Sequence, residues 1–117
     1  MEQQPPTPGN LNVPEHVIEL LEYGKENQPL PIIDYDAVIS YIKQRDEFGK
    51  SKYGTSLHTD NGRCPYEDLK QELGDAIQYL MQILLEQKKD KAKLNEISHL
   101  FAVFTGLYST VLEDSRK

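Results

Sequence analysis

Residues Pro65 to Gln87 read P-Y-E-D-L-K-Q-E-L-G-D-A-I-Q-Y-L-M-Q-I-L-L-E-Q. Leu69, Leu73, Ala76, Ile77, Leu80, Ile83 and Leu84 recur at intervals of three and four, the spacing that lines one face of an α-helix. Pro65 suits a first helical position, where its missing N–H would have had no partner, and the polar run Q-K-K-D-K at 87–91 ends the stripe. One long amphipathic helix is therefore expected here, and the rest of the chain follows the same rule.

Downstream, Leu94, Ile97, Leu100, Phe101, Phe104, Leu107, Tyr108, Val111 and Leu112 repeat the pattern, interrupted only by Gly106. Upstream, Tyr35, Val38, Ile39 and Ile42 predict a helix from Ile32 or Asp34 to about Lys52, ending before Gly54. A shorter helix opens at Pro14, behind Asn12 or Val13, and carries Val17, Ile18, Leu20 and Leu21 until Gly24. Residues 54–64, G-T-S-L-H-T-D-N-G-R-C, hold two glycines and no sustained period, which predicts a loop with a tight turn. No strand-like alternation of useful length occurs. The expected fold is all-α: a compact helical bundle of three long helices plus a short N-terminal helix, in a single domain over 14–115. Residues 1–13, with Pro5, Pro6, Pro8 and Gly9, are expected as a flexible tail, because they bury too little apolar surface to offset the entropy of ordering.

Composition narrows the function classes. One cysteine, Cys64, permits no internal disulfide, and no apolar run approaches the roughly 18 residues of a membrane span, so a cytoplasmic protein without membrane association is expected. A net charge of −6 repels polyanions and argues against stable nucleic-acid binding. A small phosphate ligand bound through a divalent cation is still compatible, because the ion reverses the local field. His16, His58 and His99 share no metal-ligand spacing, and Cys64 has no identifiable histidine partner, which argues against zinc and covalent catalysis.

The acidic residues are placed unusually. Asp68, Glu72, Asp75 and Tyr79 fall on one strip beside the apolar stripe, with Glu72 nearest the core. The helix dipole accounts for Glu67 and Asp68 in a first turn but does not reach Asp75. Glu72 and Asp75 repel each other at i, i+3, and Gly74 between them costs about 1 kcal/mol relative to alanine. Such a local conflict is expected at a site or a tight contact. On the preceding helix the stripe continues onto Asp46, then Lys50 and Tyr53, with Glu47 at its flank. Two acid-bearing faces bordering one core suit either Mg²⁺ or Mn²⁺ held by oxygen ligands, or a salt-bridge set of Asp46, Lys50, Glu72 and Asp75.

These residues resemble the MazG-like all-α nucleotide pyrophosphohydrolases, whose signature is E-E-x-x-E on one helix and E-x-x-D, often E-L-G-D, on the next. Glu72-Leu73-Gly74-Asp75 matches the second element. Asp46-Glu47-Phe48-Gly49-Lys50 matches the first, with Asp for the leading Glu and Lys for the last, and 21 residues separate Lys50 from Glu72. A phage-type branch looks closer still, through a K-Y-G-T-P-L loop, an N-G-R-D turn and a D-x-x-Q-E-x-x-D helix. This chain has Lys52-Tyr53-Gly54-Thr55-Ser56-Leu57, then Asn61-Gly62-Arg63-Cys64, then Asp68, Gln71, Glu72 and Asp75. The likeness spans residues 35 to 85.

The resemblance implies hydrolysis of a nucleoside triphosphate between the α and β phosphates, with Mg²⁺ or Mn²⁺ held by Asp46, Glu47, Glu72 and Asp75. Glu47, Glu72 and Asp75 then carry the catalysis. Asp68 either supports the metal ligands from behind or orients water, Lys52 and Arg63 contact phosphate, Tyr53 or Tyr79 packs against base or sugar, and Lys50 lowers the number of metals bound, replaces one by touching phosphate, or marks a catalytically silent binding module. It also implies a homodimer or homotetramer, with Leu85 and Val103 at helix edges available for the interface, and a host-cytoplasm location if the chain is phage-encoded.

Overall fold

The computed structural model describes residues 3–87 and 89–116. Four helices follow one another: α1 (Val13–Asn27), α2 (Tyr35–Tyr53), α3 (Pro65–Glu86) and α4 (Lys91–Ser115). No strand occurs among the described residues, in keeping with the all-α expectation. No helix is long and apolar enough to cross a membrane.

Local chemistry sets the ends. Asn12 caps α1 by accepting from the Glu15 amide at 3.0 Å, with Pro14 in the first turn. Asp34 caps α2 through the Ala37 amide at 3.0 Å. At its other end Gly54 takes a left-handed conformation (φ 76°) and returns its N–H to the Lys50 carbonyl, the closure that glycine allows without a Cβ penalty. Asp90 caps α4 through the Lys93 amide at 3.0 Å. One boundary differs from expectation. Gly24 does not stop α1, which runs on to Asn27: a glycine inside a helix costs only about 1 kcal/mol relative to alanine, and a Cβ there would make ordinary van der Waals contact with the Tyr35 ring at 3.5 Å. Lys91, at the end of the polar run 87–91, and Lys93 lie in the first turn of α4, and Lys88 is outside the described residues.

The chain divides into two compact units, Met1–Arg63 and Cys64–Lys117. In the first, α1 packs on α2, and Pro14, Tyr35 and Ile39 are buried. The Tyr35 hydroxyl accepts from the Leu30 amide at 2.9 Å and so anchors the α1–α2 connection. In the second unit α3 and α4 pack against each other, and Leu73 and Ile97 are buried.

Residues 3–13 depart from the expected tail. Thr7 N–H donates to the Asn61 carbonyl (3.0 Å), Asn10 N–H to the Thr59 carbonyl (3.1 Å), Thr59 N–H to the Leu11 carbonyl (2.9 Å) and Val13 N–H to the Leu57 carbonyl (2.8 Å). The pairing is antiparallel, with a bridge between Asn12 and His58. Apolar burial is a poor guide to this segment because backbone hydrogen bonds hold it.

Gly74 is a helix-interior glycine whose missing side chain faces Tyr108. A Cβ added there would meet Tyr108 Cε2 at 3.9 Å, an ordinary van der Waals contact, so the expected tight contact is absent. Gly74→Ala should accordingly raise stability by about 0.5–1 kcal/mol through helix propensity, read as a higher midpoint in urea. A lower midpoint would refute that reading of the space around it.

Candidate functional site

α2 delivers Asp46, Glu47 and Lys50 within one helical turn, where i, i+3 and i, i+4 neighbours meet. Lys50 Nζ lies 3.3 Å from Glu47 Oε1 and 3.4 Å from Asp46 Oδ2. The α2 half of the salt-bridge alternative is thus formed. The pairing raises the Lys50 ammonium above the ordinary lysine value, first through its hydrogen bond with Glu47 and then through the charge of Asp46.

Asp46 differs from its neighbours. Its side chain is 16% exposed, against 76% for Glu47 and 48% for Lys50. Its Oδ1 is buried and has no hydrogen-bond partner. A buried carboxylate oxygen left without a donor or cation is costly, and most such atoms in folded proteins are satisfied. The inward placement expected for this strip therefore holds at Asp46 only. Lys50 is half exposed and Tyr53 is 45% exposed, because α2 ends at Tyr53 and both lie in its last turn.

Lys50 and Lys52 both sit in the last turn of α2, where the helix dipole favours cations. The Lys52 ammonium is 5.2 Å from the Tyr53 ring centroid and 5.9 Å from that of Phe48, over which the Arg45 guanidinium lies at 4.7 Å. Arg63 follows the loop's tightest turns, at Asp60 (φ 56°) and Gly62 (φ 82°). Asn61 is buried, and its Oδ1 accepts from the Arg63 amide at 3.1 Å. The Arg63 guanidinium donates through Nη1 to the Gln4 carbonyl.

α3 carries the other carboxylates. Asp68 lies in the first turn, half-buried, its amide donating to the Cys64 carbonyl at 3.3 Å. Glu72 and Asp75 are exposed, which corrects the expectation that Glu72 lies nearest the core: Leu73, its neighbour, takes the buried position. Lys70 pairs with Glu67 at 2.7 Å. Tyr79 is 63% exposed, so neither it nor Tyr53 follows the usual burial of aromatic residues. Within neither unit do three or more His, Cys, Asp or Glu side chains converge to hold a metal, among the described residues.

The histidines have local roles. His16 Nδ1 lies 2.7 Å from the Asn12 carbonyl and His58 Nδ1 lies 2.8 Å from the Ser56 carbonyl, while His99 is exposed on α4. Sequence reasoning missed Gln4, Thr7, Gly9 and Asn10, whose partners lie some fifty residues away on the 57–63 loop. Asn10 Nδ2 reaches Asp60 Oδ2 at 2.9 Å, and a Cβ built on Gly9 would overlap the Thr59 carbonyl oxygen. The only sequence signal for this seat is the glycine itself.

No protein-family model, curated protein or solved structure matches the chain.

Proposed function

We propose that the chain is a Mg²⁺-dependent (deoxy)nucleoside triphosphate pyrophosphohydrolase that releases a nucleoside monophosphate and pyrophosphate. The observation that carries the proposal is the unpartnered, buried oxygen of Asp46 beside Glu47 on the helix that resembles the first MazG-like element. Such an oxygen, beside the carboxylate of Glu47, is the hard donor type that Mg²⁺ or Mn²⁺ takes. Asp46, Glu47, Glu72 and Asp75 would hold the metal, and the ion when bound neutralises charge developing on the phosphates and lowers the pKa of water.

The chain's own groups have separate tasks in this reading. Glu47, Glu72 and Asp75 would supply the oxygen ligands that hold the cation at the phosphates, and Asp68 would orient the attacking water by accepting a hydrogen bond from it. Lys50, Lys52 and Arg63 bring positive charge to the phosphate oxygens, with the guanidinium suited to a bidentate contact. Exposed Tyr53 and Tyr79 offer ring faces to the base or sugar. The same reading includes a homodimer or homotetramer, supported by the exposure of Leu85 (59%) and Val103 (42%), and a cytoplasmic location.

Lys50 favours a second reading, a silent helical module that binds nucleotide or protein on the same scaffold, because its ammonium already answers the charge of Asp46 and Glu47. Incubation with each nucleoside triphosphate decides between them. The hydrolase produces equimolar monophosphate and pyrophosphate with Mg²⁺ and neither in excess chelator. Absence of turnover with every nucleotide, in Mg²⁺ and in Mn²⁺, would leave only the module.

A further inference from the structure

We propose that a second copy of this chain docks on the outer face of α2, and that the glutamate-bearing face of its α1 makes the contact. The proposal stands apart from the nucleotide reading and uses a different surface from Leu85 and Val103.

Val38, Tyr41, Arg45, Phe48 and Lys52 follow one another at intervals of three and four, so they form one strip along α2. All five are exposed, Tyr41 by 59%. The Arg45 guanidinium and the Lys52 ammonium both lie over the Phe48 ring, at 4.7 and 5.9 Å from its centroid. Neither cation forms an ion pair among the described residues. An aromatic strip carrying two positive charges is thus open on a chain whose net charge is −6.

The complement lies on α1. Glu15, Glu19, Glu22 and Glu26 repeat at four, three and four, all exposed and none in an ion pair among the described residues. Successive pairs repel, and the helix dipole opposes Glu26 in the last turn. Lys25, the nearest cation on the same helix, is taken by Asp36 at 2.6 Å. Beside the glutamates, Leu20 and Tyr23 stand three apart and exposed, Leu20 by 72%.

The two strips of one chain do not meet. α1 packs on α2 through other sides of both helices, where Pro14, Tyr35 and Ile39 are buried and Val17, Ile18 and Leu21 half-buried. A second copy brings them together. At a rise of 1.5 Å per residue, Val38 to Lys52 is about 21 Å of helix and Glu15 to Glu26 about 17 Å, so the lengths agree as well as the sign and spacing. Docking covers Tyr41 and Phe48 with Leu20 and Tyr23, and the flanking charges set orientation, as they do between helices of a coiled coil. Because the strips are unlike patches, the contact closes as a pair when each copy gives α1 and receives α1, and otherwise runs head to tail.

Sedimentation equilibrium of the full chain up to about 1 mM tests the proposal, with circular dichroism to follow the helices. The parent chain should associate with a dissociation constant below that concentration. Arg45→Glu in one variant, and Glu19→Lys with Glu22→Lys in another, should each weaken association about ten-fold, because attraction becomes repulsion. An equimolar mixture of the two variants should associate within about three-fold of the parent, since the reversed charges then face each other. Phe48→Ala changes no charge and should weaken association by a similar factor, which keeps the test open if a reversal unfolds the chain. A parent that stays a single copy, association that neither reversal nor Phe48→Ala weakens, or a mixture no tighter than its components each overturns the proposal and leaves the nucleotide reading untouched.

Discussion

Glu72→Ala and Asp75→Ala should each lower pyrophosphate release by more than about a hundred-fold, since even the groups that orient metal ligands cost roughly 10- to 100-fold when lost. The two residues lie one turn apart on the exposed side of α3. Removing either carboxylate relieves an i, i+3 repulsion and introduces the best helix former, so folding stability should hold or rise slightly. Activity and stability thus move apart. The check is single-turnover release of pyrophosphate beside a urea melt of the same protein. A variant that keeps near-native turnover would remove α3 from the proposed chemistry.

Leu73→Ala reverses this pattern although it is the very next residue. Leu73 is buried while Glu72 is exposed, and it is the buried residue of a helix whose other large side chains include exposed Leu69, Tyr79 and Leu85. Truncating a buried leucine costs about 2–5 kcal/mol, from lost transfer energy and the cavity left behind. In a unit with so few buried side chains, neighbours can offset little of that. The expected result is a large fall in the urea midpoint with an unchanged slope. A loss below about 1 kcal/mol would place Leu73 outside the packing of α3 and α4.

The four helices were legible because their causes are local. Apolar residues three and four apart, Pro65 at an opening and Gly54 at a close act over a few residues, and the structure uses each of them. Gly24 was misleading because a glycine reads as a stop in sequence while its modest helical cost lets α1 continue to Asn27. The acidic strip was legible as spacing, not as burial. Helical geometry put Asp46, Glu47 and Lys50 within reach of one another, yet only Asp46 lost its water.

The sequence by itself determined the helical class, the order of its elements and most of their ends, since these depend on hydrogen bonds and side-chain periodicity within a turn or two. Only the tertiary structure decided that a proline-rich segment lies along the 57–61 loop, that Arg63 meets the Gln4 carbonyl, and that a carboxylate oxygen of Asp46 is buried without a partner. The physical reason is the same in each case. Those outcomes depend on what a group finds across tens of residues of intervening chain, and no local propensity reports a partner so far away.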